Sequence, residues 1–344
     1  LIRDWIAGLL GHRRFRLEPA SADASFRRYL RLRVGRTTRI VMDAPPERES
    51  CAPFLALGGR LRAAGIHAPQ VFAADPARGL VLLEDLGATS YLDALRGHRH
   101  GPAPEVGAER LYGDALETLV RMQARVGCDG LARYDRAALE AEMELFPVWL
   151  LGRHLGIRLA GRDAGLLVEA RAALVAAAVE QPQAFVHRDY HSRNLMYCPG
   201  ANPGVLDFQD ALRGPLSYDL TSLLRDAYVA WPQAQVEAWA ERYLERARRA
   251  GLLSGVGPGK LRRWLELTGA QRQLKVAGIF ARLWYRDGKP GYLADIPRVL
   301  GYLLAAAPRH PEIRPLGELL ARLEVIERVE ARNAELLGEP EGGR

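Results

Sequence analysis

Phe185-Val186-His187-Arg188-Asp189-Tyr190-His191-Ser192-Arg193-Asn194-Leu195-Met196 decides how this chain is read. It contains the pattern His-x-Asp-x4-Asn. With 8 His, 17 Asp and three Asn in the chain, random placement gives roughly 0.003 such matches, so chance is a poor explanation. A carboxylate and an amide five residues apart, on a loop that leaves one strand and enters another, supply two kinds of group. One meets an acceptor hydroxyl and the other is an oxygen ligand for magnesium, and phosphoryl transfer needs both.

Working outward, the next polar cluster is Val205-Leu206-Asp207-Phe208-Gln209-Asp210, with Asp207 eighteen residues after Asp189. A carboxylate at the end of an apolar pulse, beside a second acid, suits a hard cation that bridges phosphates. The pulses Ala184–Val186 and Gly204–Leu206 read as short strands that deliver His187 and Asp207 at their ends.

The chain before this centre divides near residue 84. Residues 1–12 read as an amphipathic helix. Ser25–Val34 and Thr37–Met42 read as a hairpin about Gly35-Arg36, Glu49–Ala64 as a helix stopped by Gly65, and Val71–Ala73 and Leu80–Leu83 as strands. After 84–87 the spacing becomes helical over 88–95, 108–126, 136–154 and 164–180, with a loop at 97–107. It is helical again from Leu216 onward, with breaks at Pro232, Gly255–Gly259, Gly288–Gly291 and Pro308–Pro311. The tail 338–344 reads as disordered. The expectation is an α+β fold with a small β-rich lobe over 1–84 and a large, mainly helical lobe over 85–344, with a hinge near 84–87.

Bulk composition narrows the function classes. The chain has 344 residues, 48% hydrophobic and 26% charged, a soluble globular balance. The net charge of +7 fits binding of an anion such as a nucleotide, and equally a charged soluble surface. No basic run is interleaved with aromatics, so no nucleic-acid partner is expected. Cys51, Cys128 and Cys198 are odd in number and widely spaced, which fits a reducing cytoplasm. No signal peptide and no membrane span are expected.

The segments HRDYHSRN (187–194) and LDFQDALRGPLSYDL (206–220) resemble the aminoglycoside phosphotransferase and choline kinase family. The resemblance implies a protein-kinase-like bilobal fold, ATP as donor and Mg2+ as cofactor. It implies Asp189 as catalytic base and Asn194 and Asp207 as magnesium ligands. His187 and Asp219 would be structural, the latter accepting hydrogen bonds from the catalytic loop. Asp210 is assigned either to the metal or to the substrate. Leu82–Gly87 matches the hinge, where backbone groups of Glu84, Asp85 and Leu86 would meet adenine.

One departure stands out. The family places a lysine on the third strand, but the three lysines here are Lys260, Lys275 and Lys289. Met42 or Asp43 occupies that strand position, and a glycine-rich phosphate loop is missing. An anion still needs cations, so Arg28 or Arg31 is expected to replace the lysine. Ser21–Tyr29, Val41–Glu47, Leu145–Trp149, Ser222–Asp226 with Trp231-Pro232, and Tyr285–Lys289 resemble one branch of the family. That branch is the bacterial anomeric sugar kinases, which phosphorylate N-acetylmuramate and N-acetylglucosamine at the C1 hydroxyl in cell-wall recycling. Arg225, Asp226, Tyr228, Trp231, Tyr285 and Arg286 are then candidate sugar contacts, and an arginine among them suits the lactyl carboxylate. The expected partners are a nucleotide and a small sugar, and the expected state is a monomer. Two competing readings remain: a kinase for an aminoglycoside, choline or fructosamine, and a catalytically inactive pseudokinase scaffold.

Overall fold

The structure is a computed structural model that describes residues 1–21, 27–97 and 106–338. In chain order the elements are α1 (Ile2–Leu10), β1 (Arg16–Ser21), β2 (Arg28–Val34), β3 (Thr37–Asp43), α2 (Ala52–Ala63), β4 (Val71–Asp75) and β5 (Leu80–Glu84). Then follow α3 (Tyr91–Arg96), α4 (Ala108–Arg125), α5 (Arg136–Met143), a π-helical turn Phe146–His154, α6 (Gly161–Val179), β6 (Gln183–Val186), β7 (Leu195–Met196), β8 (Gly204–Val205) and β9 (Leu212–Pro215). The rest is helical: α7 (Ser217–Leu224), α8 (Gln233–Arg249), α9 (Pro258–Asp287), α10 (Ile296–Ala306), α11 (Arg314–Arg322) and α12 (Val325–Gly338). This is the expected α+β class of the kinase-like fold. Phe26, the turn residues 22–26, most of the 97–107 loop and the tail beyond Gly338 lie outside the described residues.

Two compact units emerge, one of residues 1–127 with 193–210, the other of 128–192 with 211–344. The expected boundary at 84–87 lies inside the first unit. Backbone pairing explains why. Tyr197 donates to the Thr89 carbonyl at 2.9 Å and Val205 to that of His67 at 2.8 Å, so the segment 193–210 is stitched onto chain on both sides of residue 84.

In the first unit the strands form one antiparallel sheet in the order β1-β2-β3-β5-β4. Period-two alternation puts Leu32, Val41 and Leu82 on one face, where Ile6 of α1 is buried against them. The helix α2 lays Phe54 on Phe208, ring centres 4.9 Å apart. Strand β1 was not legible in the sequence, because Pro19 and two charges mark it as an edge.

In the second unit α9 is the axis, buried from Leu261 to Ala281 over most of its length. Gly278 is required there: a Cβ would sit 2.4 Å from the Leu145 carbonyl carbon. The sequence reads 136–154 as one helix, but the structure breaks it after Met143 and continues as the π-helical turn. Pro147, at its start, has no N–H to give to an α-helical ladder, and Leu155 donates five residues back to Leu150 at 3.0 Å.

Candidate active site

The His-x-Asp-x4-Asn segment crosses from one unit to the other. Asp189 belongs to the second, Asn194 and Asp207 to the first.

In the first unit β7 and β8 form a minimal hairpin, Leu195 opposite Val205 and Met196 opposite Gly204. Its register places Asn194 and Asp207 beside each other. The Asn194 carbonyl accepts from the Leu206 N–H at 2.9 Å, and its amide nitrogen lies 3.3 Å from Asp207 Oδ2. Gln209 donates to Asp207 Oδ1 at 2.7 Å. Asp207 is held at φ 62°, a left-handed conformation uncommon for a non-glycine. Among the described residues no group of three His, Cys, Asp or Glu side chains is arranged to hold a metal. A carboxylate and an amide side by side nevertheless fit magnesium, which takes one or two protein oxygens and completes its shell with phosphate and water. Asp210 follows, exposed.

Glu84, Asp85 and Leu86 lie in the same unit. Glu84 accepts from the Gln70 N–H at 3.1 Å and meets His67 at 3.3 Å. Asp85 takes a two-pronged pair from Arg31, at 2.8 and 3.1 Å, and the same guanidinium donates to the Gly87 carbonyl at 2.9 Å. Arg31 is therefore fastened to Asp85 and Gly87. Leu86 packs with Met196, Cys198 and Leu206 in a small apolar cluster leading to Asp207. A Cβ on Gly204 would fall 2.8 Å from Leu86 and 2.9 Å from Cys198, so only glycine leaves this cluster its shape. Met42 is fully buried and Asp43 nearly so. Arg28, largely exposed, reaches Asp43 through Nε at 2.9 Å. Sequence reasoning missed Arg27, buried in an ion pair with Glu49 at 2.7 Å.

In the second unit two carboxylates pin the loop that carries Asp189 at its ends. Asp219, on α7 and fully buried, accepts from the N–H groups of His187 at 2.7 Å and Arg188 at 2.9 Å. Asp226, just past α7 and also fully buried, accepts from Ser192 at 2.9 Å and Tyr228 at 2.8 Å. Asp189 is half-buried midway between these anchors. Its own N–H lies 3.3 Å from His187 Nδ1, and the His187 ring packs edge-on against Tyr190. Arg188 takes φ 78°, which turns its side chain toward Glu142. That carboxylate also receives Lys275 at 3.0 Å and the hydroxyl of Tyr134. Lys275 donates to Tyr218 at 3.1 Å.

Charge follows from these placements. Burial raises the pKa of Asp189, but the nearby Lys275, His191, Arg272 and His187 outweigh it and hold the carboxyl below its usual range. Burial keeps His191 below the usual histidine value despite Asp226 and Asp189. For Asp219 burial wins over His187 and the two backbone donors, and its pKa rises to about 6. The native state thus keeps a proton that the unfolded chain has released between pH 3.8 and about 6. With fewer protons bound in the unfolded state, stability falls as pH rises through that window. Urea denaturation across it should show the stability of the wild type falling relative to that of Asp219→Asn as pH rises. An unchanged slope in the variant contradicts the assignment.

The expected acceptor residues separate. Asp226 is a brace. Tyr228 lies edge-on to His191, ring centres 5.5 Å apart, which keeps it beside the loop. Arg225 donates to Gln233 and lies 5.4 Å from the Tyr302 ring centre. Trp231 packs edge-on against Trp239 at 5.1 Å. Tyr285 faces His154 and Arg153, and Arg286 is exposed and paired with Asp287 at 2.9 Å. Arg225, Tyr285 and Arg286 make these contacts outside the loop 187–194. Reading the sequence also missed Glu142, Arg272 and Lys275. The polar run Gln271–Lys275 inside an otherwise apolar helix was the available signal.

The phosphotransferase enzyme family model matches residues 16–254. A Pseudomonas aeruginosa protein named N-acetylmuramate/N-acetylglucosamine kinase is 47% identical over 307 residues, covering 89% of this chain and 88% of the relative. One of the same name from Neisseria meningitidis is 42% identical over 330 residues, covering 96% and 97%. Among solved structures, choline kinase LicA from Streptococcus pneumoniae has a TM-score of 0.61 at 11% identity, covering 88% of this chain and 98% of that one. The likeness to LicA is one of fold.

Proposed function

Because this chain belongs to the phosphotransferase enzyme family, a kinase family, we propose that it transfers the γ-phosphate of ATP to the C1 hydroxyl of N-acetylmuramate and N-acetylglucosamine. The substrate reading rests on the relatives of that name at 47% and 42% identity. The observation that carries the chemistry is Asp189, kept ionised by neighbouring cations on a loop anchored at His187–Arg188 and at Ser192.

Asp189 accepts a hydrogen bond from the acceptor hydroxyl, orients its oxygen lone pair toward phosphorus, and takes the proton late in a loose transition state. Asp219 and Asp226 act through the backbone and fix where that carboxylate stands. Asn194 and Asp207 would hold magnesium, which would neutralise charge on the phosphate oxygens. The backbone of Glu84–Leu86 and the apolar cluster behind it receive the adenine. Arg28 and Arg31 are both paired, with Asp43 and with Asp85, and Arg28 is the more accessible to the phosphates, its side chain 70% exposed against 18%. The same reading makes the protein a cytoplasmic monomer of cell-wall sugar recycling, with no nucleic-acid or membrane partner.

A coupled ADP-release assay across an acceptor panel tests the proposal. Turnover is expected with both amino sugars. Turnover with an aminoglycoside or choline but neither amino sugar overturns the substrate. Nucleotide binding without turnover on any acceptor supports a scaffold instead.

A further inference from the structure

Buried polar atoms near Asp189 that have no hydrogen-bond partner among the described residues include Arg272 Nε, His191 Nδ1 and Ser192 Oγ. Buried polar groups are nearly always satisfied, so a cluster of unsatisfied ones asks for an explanation. Arg272 is the most demanding. It is 5% exposed on α9, and a buried guanidinium without a direct partner is costly. Tyr218, Asp189 and Asp226 favour its charged form against burial, while its buried Nε has no hydrogen-bond partner among the described residues. Both Asp226 oxygens are already engaged by the backbone of Ser192 and Tyr228. The guanidinium is therefore a preformed cation beside the candidate base, with the hydrogen bond of its buried Nε left over.

We infer that Arg272 is the acceptor-discriminating residue, receiving the lactyl carboxylate of N-acetylmuramate, with His191 and Ser192 meeting the sugar's polar groups nearby. The inference rests on the proposed substrate and deepens it. N-acetylmuramate differs from N-acetylglucosamine by an ether-linked lactyl group that carries a carboxylate. A planar carboxylate matches the two-pronged guanidinium, where a lysine would offer only a point charge. Arg225 and Arg286, the arginines that the sequence offered for this task, are engaged with Gln233 and Asp287 instead.

The test compares kcat/KM for N-acetylmuramate, its methyl ester and N-acetylglucosamine in the wild type, Arg272→Gln and Arg272→Lys. A charge-assisted hydrogen bond sets the scale, so the ratio of N-acetylmuramate to N-acetylglucosamine should fall roughly hundredfold in Arg272→Gln. It should fall less in Arg272→Lys. The wild type should prefer the acid over its methyl ester, a comparison that needs no variant to fold. Equal losses on both sugars would show Arg272 acting on Asp189 or on the phosphoryl group, and would overturn the inference. So would equal use of acid and ester by the wild type. A wild type active on neither sugar overturns the substrate reading, and the inference with it.

Discussion

Replacing Asp189 by Asn should lower kcat by roughly a thousandfold, the range for losing a positioned base, while KM for ATP stays within about a factor of two, as expected when only a transition-state interaction is lost. Asparagine keeps the shape and loses the acceptor for the hydroxyl proton. The loop itself is held by Asp219 through His187 and Arg188 and by Asp226 through Ser192, so the backbone should stay in place. Rates are to be normalised to the measured number of nucleotide sites, which removes any unfolded fraction. Retention of more than about a tenth of kcat would place the base elsewhere.

The largest loss of stability is expected from Glu142→Ala. Glu142 faces Arg188 and Lys275, and all three side chains are at least three-quarters buried. Taking away Glu142 removes the ion-pair carboxylate of two buried cations, a loss of about 3–5 kcal/mol and on the order of 10 °C in Tm. An exposed pair offers the contrast. Arg136 and Glu140 have side chains 60% and 45% exposed, and Arg136→Ala should shift stability by less than about 1 kcal/mol. Thermal melts of the two variants decide the matter, and similar shifts in both would refute the internal-pair account. Because Arg188 adjoins Asp189, Glu142→Ala should also reduce turnover in the fraction that remains folded.

The strands and helices with clear periodicity were legible, among them the 28–43 hairpin, α4 and the breaks between the C-terminal helices. So was the loop that carries Asp189. What escaped depends on three-dimensional pairing. β7 is two residues long and exists only because β8 faces it. The segment 193–210 joins the first unit through hydrogen bonds to Thr89 and His67, contacts with no local signature. Glu142 looked like any helical acid until Arg188, at positive φ, turned toward it. Arg225 and Arg286 looked like substrate arginines because sequence shows charge but not partners. Arg272 stood unnoticed within a polar run of a buried helix.

The central claim is that this chain phosphorylates an amino sugar at its anomeric carbon. Phosphorus NMR of the product formed from ATP, magnesium and N-acetylmuramate tests it most directly. The expected product is a sugar 1-phosphate whose phosphorus couples to the anomeric proton, formed far more slowly by Asp189→Asn. Phosphate at another hydroxyl, or release of free phosphate without a sugar product, would contradict it.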